Sequence, residues 1–207
     1  MMHLYHCDGA RSMRALWLLH ELNKTFELTL LPFSMEALRT PSYLAISPLG
    51  RVPCLVDAGV AIFESGAITQ YLCERYDTLG LGRAVDDPER TQWLIWLHYA
   101  ETIAVHCANL VQQKVFIAPE QRSPVVIKLE SRRLLKALEV IEQQLVERDY
   151  LLKTGFSAAD VSVGYSVHLA HDFHSFDALP RVAAYYARLR TRPAFQAALN
   201  NQATVVN

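Results

Sequence analysis

A proline at the head of a short apolar run, at Val52-Pro53-Cys54-Leu55, is the feature that most constrains the fold. Proline donates no backbone hydrogen bond, so in a sheet it is confined to a strand start, an edge or a bulge. A second apolar run, residues 60–63, follows Asp57-Ala58-Gly59, which is a suitable tight hairpin connection. Glu64-Ser65 then opens a helical pattern. The stretch predicts a hairpin leading into a helix, with backbone groups and a helix N-terminus that suit binding of a small peptide.

The hairpin completes a small α/β domain that begins at the amino terminus. Residues 2–7 and 26–33 read as strands, and a helix that opens near Ser12 and ends near Asn23 lies between them. A helical turn is expected near residues 41–46, and the helix opened by Ser65 is expected to end at residue 76. We therefore predict an α/β domain over residues 1–77.

Everything after this domain is predicted to be helical. Residues 78–86 carry two glycines and no periodicity, so they read as a linker. Asp87-Pro88-Glu89 has the cap, first-turn proline and acidic side chain of a helix start, and this helix is expected to end near residue 117. Ser123-Pro124 starts another helix. With Ser157-Ala158-Ala159-Asp160, which resembles a capping box, these signals predict an all-helical domain over residues 87–207.

Charge, hydropathy and cysteine spacing exclude several classes of function. The 20 basic and 21 acidic residues leave a formal net charge of −1, and no basic stripe suggests nucleic acid. No apolar segment reaches the roughly 18 residues that span a bilayer, and the first residues lack the pattern of a signal peptide. We therefore expect a cytoplasmic protein with no membrane partner. The four cysteines form no Cys-x-x-Cys pair, which disfavours a zinc site and a dithiol centre.

Three motifs, taken in order, resemble those of the soluble, cytosolic glutathione transferase family. They are Gly50-Arg51-Val52-Pro53, Glu64-Ser65-Gly66-Ala67-Ile68 and Phe156-Ser157-Ala158-Ala159-Asp160. The resemblance covers essentially the whole chain and is closest to bacterial-type members, with the class left open. It implies a thioredoxin-like α/β domain followed by an all-α domain, a homodimer, and glutathione as co-substrate with no further cofactor.

The resemblance also implies which residues hold glutathione. A cis bond before Pro53 would turn the N–H and C=O of Val52 outward, where they could pair with an extended peptide. Without the resemblance, a trans proline that merely starts a strand would be the expectation. Ser65 and the helix N-terminus suit the γ-glutamyl carboxylate, and Glu64 suits its ammonium group. An ordinary helix cap at Ser65 is compatible with the same sequence.

The residue that stabilises the glutathione thiolate is less well defined by the sequence. Ser12 is the first candidate, because it stands at a predicted helix N-terminus where a hydroxyl and the helix dipole favour an anion. Arg11 could place a guanidinium beside the sulfur, and Tyr5 could act as in members that use tyrosine. Cys7 could form a mixed disulfide, although it reads as a strand residue.

The helical domain supplies candidates for the site of the second substrate. Tyr99, Thr102 and His106 share one helix face by their spacing, and we predict that they line an electrophile pocket between the domains. Ordinary packing or dimer contact is the alternative for each of them. No metal site is predicted from the histidines at positions 168, 171 and 174, because the third is rotated off the face of the others and no cysteine or acidic motif completes a site.

These observations predict a glutathione transferase that conjugates the bound thiolate to small apolar electrophiles. Two alternatives stay open. A glutathione-dependent disulfide or peroxide reductase would trap Cys7 or another thiol as an adduct. A non-catalytic protein that kept the fold would bind glutathione without turnover, since fold alone does not fix function.

Overall fold

The computed structural model describes residues 1–203 and divides them into two compact units. The sheet unit comprises residues 1–85 together with the segment from Arg190 onward, and the helical unit comprises residues 86–189. The sequence predicted a helical domain over residues 87–207. The structure differs at the carboxyl end, where the last helix packs on the first helix of the chain.

The sheet unit is a four-stranded mixed sheet with helices. Its strands are β1 (Met2–His6), β2 (Phe26–Leu30), β3 (Cys54–Asp57) and β4 (Val60–Phe63). Its helices are α1 (Met13–Glu21), α2 (Met35–Leu38), α3 (Pro41–Leu44), α4 (Ser65–Tyr76) and α9 (Pro193–Leu199). The strand order is β2-β1-β3-β4, with β1 parallel to β2 and the other two pairs antiparallel. The predicted α/β fold class is confirmed.

The helical unit contains four helices and two short irregular turns after the linker. The helices are α5 (Arg90–Val111), α6 (Pro124–Gln144), α7 (Ala158–His171) and α8 (Pro180–Arg190), and only the last residue of α8 falls in the sheet unit. A π-helical turn (Gln112–Phe116) and a 3-10 turn (Pro119–Gln121) lie between α5 and α6. The sequence predicted one helix to residue 117. The π-helical turn ends the regular pattern sooner, and the extended backbone at Ala118 ahead of Pro119 prevents continuation.

Helix α7 is the buried centre of the helical unit, and its predicted capping box is present. The backbone N–H and hydroxyl of Ser157 lie 2.8 and 3.1 Å from an oxygen of Asp160. The other oxygen of Asp160 accepts from the backbone N–H of Leu151 at 3.0 Å and from the hydroxyl of Tyr185 at 3.1 Å. Asp160 is fully buried, so one carboxylate ties the start of α7 to the preceding loop and to α8.

Candidate functional site

The Val52-Pro53 peptide bond is cis, as the resemblance implied. Strand β3 begins at Cys54, two residues after the start of the apolar run at Val52, because Pro53 has no N–H to give to the ladder. The carbonyl of Arg51 accepts from the hydroxyls of Tyr43 and Ser47, both at 2.8 Å, and this fixes the loop ahead of the proline. Within residues 1–203, the described backbone hydrogen bonds include none to Val52. Its N–H and C=O are therefore available to an extended peptide.

A glycine makes that loop possible. Gly50 has a φ of 60°, in the left-handed region, and a Cβ at this position would collide with the carbonyl oxygen of Leu38. Both the dihedral angle and the lack of space favour glycine. Gly50 therefore lets the chain enter the Val52-Pro53 corner in close contact with α2.

Glu64 and Ser65 stand where β4 gives way to α4. Glu64 is exposed and has a φ of 71°, which is rare for a residue with a side chain. Strained positions of this kind concentrate at binding sites. The first helical hydrogen bond of α4 runs from Ile68 N–H to the Glu64 carbonyl at 2.9 Å. The N–H groups that precede Ile68 thus have no partner inside the helix, and such groups at a helix start favour an anion.

The Ser65 hydroxyl accepts a hydrogen bond that the sequence analysis did not foresee. Arg14 of α1 donates from Nη1 to Ser65 Oγ at 3.0 Å, and both residues are buried. Arg14 is 1% exposed. The signal for it was a charged residue within the apolar face of α1, where charges are rarely buried without a partner. Together, Val52, Pro53, Glu64 and Ser65 form what we call the cradle, with Arg14 bracing it from beneath.

The structure places Ser12 at the start of α1 but points its hydroxyl inward. Ser12 has helical dihedral angles and makes no side-chain cap to the helix. Its Oγ lies 2.7 Å from His6 Nδ1 and accepts from the Cys7 backbone N–H at 3.2 Å. The residue is fully buried. This geometry gives Ser12 a structural position in the β1–α1 turn (residues 7–12) and argues against direct contact with a bound thiolate.

Cys7 is likewise sequestered. Its side chain is fully buried in a cluster with Leu38, Tyr43 and Cys54, and its Sγ lies 3.9 Å from the Pro32 carbonyl oxygen. Burial raises the pKa of the Cys7 thiol to about 11. A thiol in this state is a poor nucleophile at neutral pH and has no access to a mixed disulfide partner.

The remaining two candidates keep exposed surface. Arg11 lies in the β1–α1 turn and is partly exposed. Tyr5 is also partly exposed, but its ring stacks on His3, with centroids 4.4 Å apart, and contacts Tyr43. Packing therefore occupies the Tyr5 ring, whereas Arg11 has accessible surface in the turn that precedes α1.

Tyr99, Thr102 and His106 line one cavity of about 460 Å³ in the helical unit. Its other lining residues all belong to α6, and they are Arg132, Arg133, Lys136, Ala137 and Val140. The Tyr99 hydroxyl donates to the Ala137 carbonyl at 3.2 Å, and burial raises the pKa of Tyr99. The three predicted residues share a cavity of a size that suits a small organic molecule. Its lining belongs to α5 and α6 of the helical unit alone, so it does not lie between the domains as the sequence analysis predicted.

A buried carboxylate supports the wall of this cavity. Glu130 accepts from Asn109 and Arg133 and lies 2.8 Å from His106 Nδ1. Burial opposes ionisation of Glu130, but these partners prevail and lower its pKa. The ionised carboxylate of Glu130 therefore fixes the orientation of the His106 side chain on α5 and of the Arg133 side chain on α6.

The histidines at positions 168, 171 and 174 have ordinary partners. His168 Nδ1 lies 2.6 Å from the Tyr186 hydroxyl, and the His171 ring packs against Phe176 and Tyr186. His174 Nδ1 lies 2.5 Å from the Ser175 carbonyl oxygen. Over residues 1–203, no cluster of metal-ligating side chains occurs.

In the same part of the chain, no helix combines the length and apolar character needed to cross a membrane.

Comparisons with known protein families and structures agree with this geometry. The family model "Glutathione S-transferase, N-terminal domain" matches residues 1–74, and "Glutathione S-transferase, C-terminal domain" matches residues 125–188. Glutathione S-transferase F10 of Arabidopsis thaliana is 32% identical over 198 residues, which cover 90% of this chain and 91% of that protein.

Solved structures share the fold at lower identity. Glutathione transferase URE2P8 from Phanerochaete chrysosporium, solved with oxidized glutathione, superposes with a TM-score of 0.88 at 22% identity, covering 96% of this chain and 93% of that chain. A glutathione transferase homologue from Lodderomyces elongisporus, with two glutathione molecules per subunit, gives 0.87 at 19% identity, covering 96% and 97%. At these identities the likeness concerns the fold.

Proposed function

Because the chain belongs to the glutathione S-transferase family, we propose that it is an active transferase that joins glutathione to small apolar electrophiles. The observation that carries the proposal is the cradle. A cis Val52-Pro53 bond and a helix N-terminus with a buried serine lie at the start of β3 and the start of α4. The likeness of the chain to named transferases supports the same reaction.

In this proposal the cradle holds both the backbone and the charged end of glutathione. The N–H and C=O of Val52 pair with the cysteinyl residue in the manner of an added strand. The γ-glutamyl carboxylate binds the first N–H groups of α4 and the Ser65 hydroxyl. The exposed carboxylate of Glu64 attracts the γ-glutamyl ammonium group.

We assign thiolate stabilisation to Arg11. A free thiol has a pKa of roughly 8.5, so little of it is ionised at neutral pH. A guanidinium beside the sulfur favours the charged form and lowers that pKa. Arg11 has accessible surface in the β1–α1 turn, whereas the Ser12 hydroxyl is buried and bonded to His6.

The reaction then follows from the thiolate. Its sulfur attacks an electrophilic carbon and forms a carbon–sulfur bond, while the electron pair of the broken bond leaves with the displaced group, such as a halide. We assign the apolar body of the electrophile to the cavity lined by Tyr99, Thr102 and His106. The working form of the enzyme is proposed to be a homodimer, as is usual in the family.

Calorimetric titration with glutathione, followed by turnover of 1-chloro-2,4-dinitrobenzene, tests the proposal. Wild-type protein should bind glutathione and release chloride. Ser65→Ala should weaken binding by about tenfold or more, since it removes an anion donor and leaves the Arg14 guanidinium without its described acceptor. The matched control is Ser175→Ala, whose exposed hydroxyl, within residues 1–203, accepts from the nearby Asp177 N–H alone, and it should behave as wild type.

Two outcomes would contradict the proposal. An absence of glutathione binding would remove the cradle from its role. Normal binding with no turnover on a panel of electrophiles would favour a non-catalytic binding protein.

Reduction of disulfides by glutathione is a second candidate, favoured by the oxidized glutathione bound to the neighbour from Phanerochaete chrysosporium. The bound thiolate would attack a substrate disulfide, forming a mixed disulfide with glutathione and releasing the other sulfur as a thiolate. No protein thiol is required, which agrees with the burial of Cys7. This reaction would be favoured if the protein reduces hydroxyethyl disulfide faster than it turns over 1-chloro-2,4-dinitrobenzene, and if the Cys7→Ser variant retains the reduction.

A further inference from the structure

The chain after α9 returns to the first strand of the sheet. Helix α9 ends at Leu199, and Asn201 adopts a φ of 52°, with its N–H donating to the Ala198 carbonyl at 3.1 Å. This turn directs the Asn201 side chain toward β1. Its Oδ1 lies 2.7 Å from Nε2 of His6, a residue 195 positions away in the chain.

His6 uses both of its ring nitrogens in the interior of the sheet unit. The ring is 1% exposed. Since the Asn201 Oδ1 can only accept, Nε2 of His6 carries the proton and donates. Nδ1 of the neutral ring is then an acceptor, and it receives the hydroxyl hydrogen of Ser12 at 2.7 Å. Burial lowers the pKa of His6, which keeps the ring neutral and this tautomer intact.

The hydrogen bonds continue from Ser12 into the β1–α1 turn. Ser12 Oγ accepts the backbone N–H of Cys7 at 3.2 Å, and the Cys7 carbonyl accepts the N–H of Ala10 at 3.2 Å. A single line of donors and acceptors thus runs from Asn201 through His6 to the backbone of the turn that carries Arg11. Such networks fix geometry because each buried group depends on its neighbour.

We propose that His6 is a positioning residue, which uses the Asn201 amide to hold the β1–α1 turn in the conformation that presents Arg11 to the glutathione sulfur. This inference rests on the proposed function for its kinetic consequence. Its structural part, the coupling of the carboxyl-terminal segment to the turn, stands independently of any reaction.

The hydrogen bond between Asn201 and His6 can be removed without detaching α9 from the sheet unit. Arg192 donates to both carboxylate oxygens of Glu21 at 2.6 and 2.7 Å, and Phe195 packs edge-on against Trp17 with centroids 4.8 Å apart. These contacts anchor the helix to α1. Loss of the Asn201 amide therefore removes the bond to His6 and leaves the helix docked.

The experiment compares Asn201→Ala with Asn200→Ala and Asn201→Asp. The side-chain amide of Asn200 donates to the Gln196 carbonyl of α9 at 2.8 Å and to no other group in the described part of the chain, so its loss is the matched control. Aspartate retains an oxygen acceptor for His6 and should rescue the function. Amide hydrogen exchange over residues 7–13, the ¹⁵N shifts of the His6 ring, and kcat and glutathione Kd are measured in each variant.

In Asn201→Ala we expect faster exchange over residues 7–13, loss of the fixed His6 tautomer, and a fall in kcat of about tenfold, because small misplacements near reacting atoms are costly. Glutathione Kd should stay within about twofold of the wild-type value, because the cradle is untouched. Asn200→Ala and Asn201→Asp should match wild type.

Exchange and ring shifts that are unchanged in Asn201→Ala would overturn the coupling. If exchange over residues 7–13 rises in Asn201→Ala but kcat does not fall, His6 has a structural role only, and the positioning proposal is wrong. If wild-type protein shows no turnover at all, the proposed function fails, and the exchange and ring shifts still decide whether the coupling exists.

Discussion

The cradle and the β1–α1 turn are both parts of the sheet unit, but they are built in opposite ways. The cradle is assembled from neighbours in sequence, with a cis proline before β3 and a serine at the start of α4. The turn is held by His6, whose partner Asn201 lies 195 residues along the chain. The difference suggests a division of labour, in which the cradle determines which peptide binds and the turn determines how its sulfur reacts.

Replacement of Arg11 is the strongest test of that division. Arg11→Gln should lower kcat by about a hundredfold, which is the usual cost of removing a group that stabilises developing or resident negative charge. Glutathione Kd should change little, because the cradle is intact. Steady-state kinetics with a calorimetric Kd measures both, and Arg11→Lys, which keeps the charge, should recover part of the rate.

The exposed Arg39 is the control in the same unit. Arg39→Gln should have wild-type kinetics. A rate for Arg11→Gln equal to that of Arg39→Gln would exclude Arg11 from thiolate stabilisation and return Tyr5 to consideration.

Ser12→Ala should destabilise the β1–α1 turn and should lower kcat less than Arg11→Gln does. Removal of the hydroxyl leaves the His6 Nδ1 acceptor and the Cys7 N–H donor buried without their partner. We expect a loss of about 1–3 kcal/mol in the free energy of unfolding and a fall in kcat of about tenfold. Denaturant unfolding and kinetics on the same preparation measure the two effects. A fall in kcat with unchanged stability would instead indicate that Ser12 contacts the sulfur directly.

Glu64→Gln should weaken glutathione binding without slowing turnover, which is the opposite of the result expected for Arg11→Gln. The exposed carboxylate attracts the γ-glutamyl ammonium group in our proposal, and a solvent-exposed charge contributes modestly. Glutathione Kd should rise by about threefold, with kcat unchanged. A fall in kcat larger than the rise in Kd would break the separation between the cradle and the turn.

Lowering the pH should reduce the local stability of the β1–α1 turn more than that of the cradle. We expect this effect to be smaller than those of the Arg11, Ser12 and Glu64 substitutions. Burial lowers the pKa of His6 and of His20, whose Nε2 lies 2.8 Å from the Gln202 carbonyl oxygen. The unfolded chain therefore binds more protons than the folded one just below the ordinary histidine pKa of about 6.5. The stabilising contribution of both groups is complete above that pH and is lost as the pH falls toward their folded values.

Hydrogen exchange at pH 7.5 and pH 5.5, corrected for intrinsic rates, measures this effect locally. Protection over residues 7–13 should fall more than protection over residues 52–65. Equal losses in the two segments would show that acid acts on the whole unit.

The backbone of the cradle was predictable, but not from local signals alone. The start of α4 at Ser65 follows from a short local pattern. The cis bond before Pro53 was implied by the family resemblance, because the local pattern alone favours a trans proline. Arg14 was missed because its partner lies on another helix, although a lone charge in the apolar face of α1 was visible. Tyr99, Thr102 and His106 line one cavity because helical spacing sets a shared face, and their role toward an electrophile stays a prediction.

The β1–α1 turn could not be predicted to the same depth. A serine before an apolar run reads as a helix cap, and nothing nearby reveals that His6 competes for its hydroxyl. The bond between His6 and Ser12 depends on burial and on the contact of His6 with Asn201, which follows α9. A sequence pattern does not reveal contacts between such distant segments. For the same reason, α9 was predicted to belong to the helical domain. Local pattern sets the elements, and packing of distant segments decides where a side chain points.

The most direct test is a crystal structure of the protein with reduced glutathione bound. We predict that the sulfur lies within contact distance of the Arg11 guanidinium, that the γ-glutamyl carboxylate lies on Ser65 and the first N–H groups of α4, and that the Ser12 hydroxyl still bonds to His6. A sulfur hydrogen-bonded to Ser12, with its bond to His6 broken, or a glutathione bound away from Val52, would contradict the separation between the cradle and the turn.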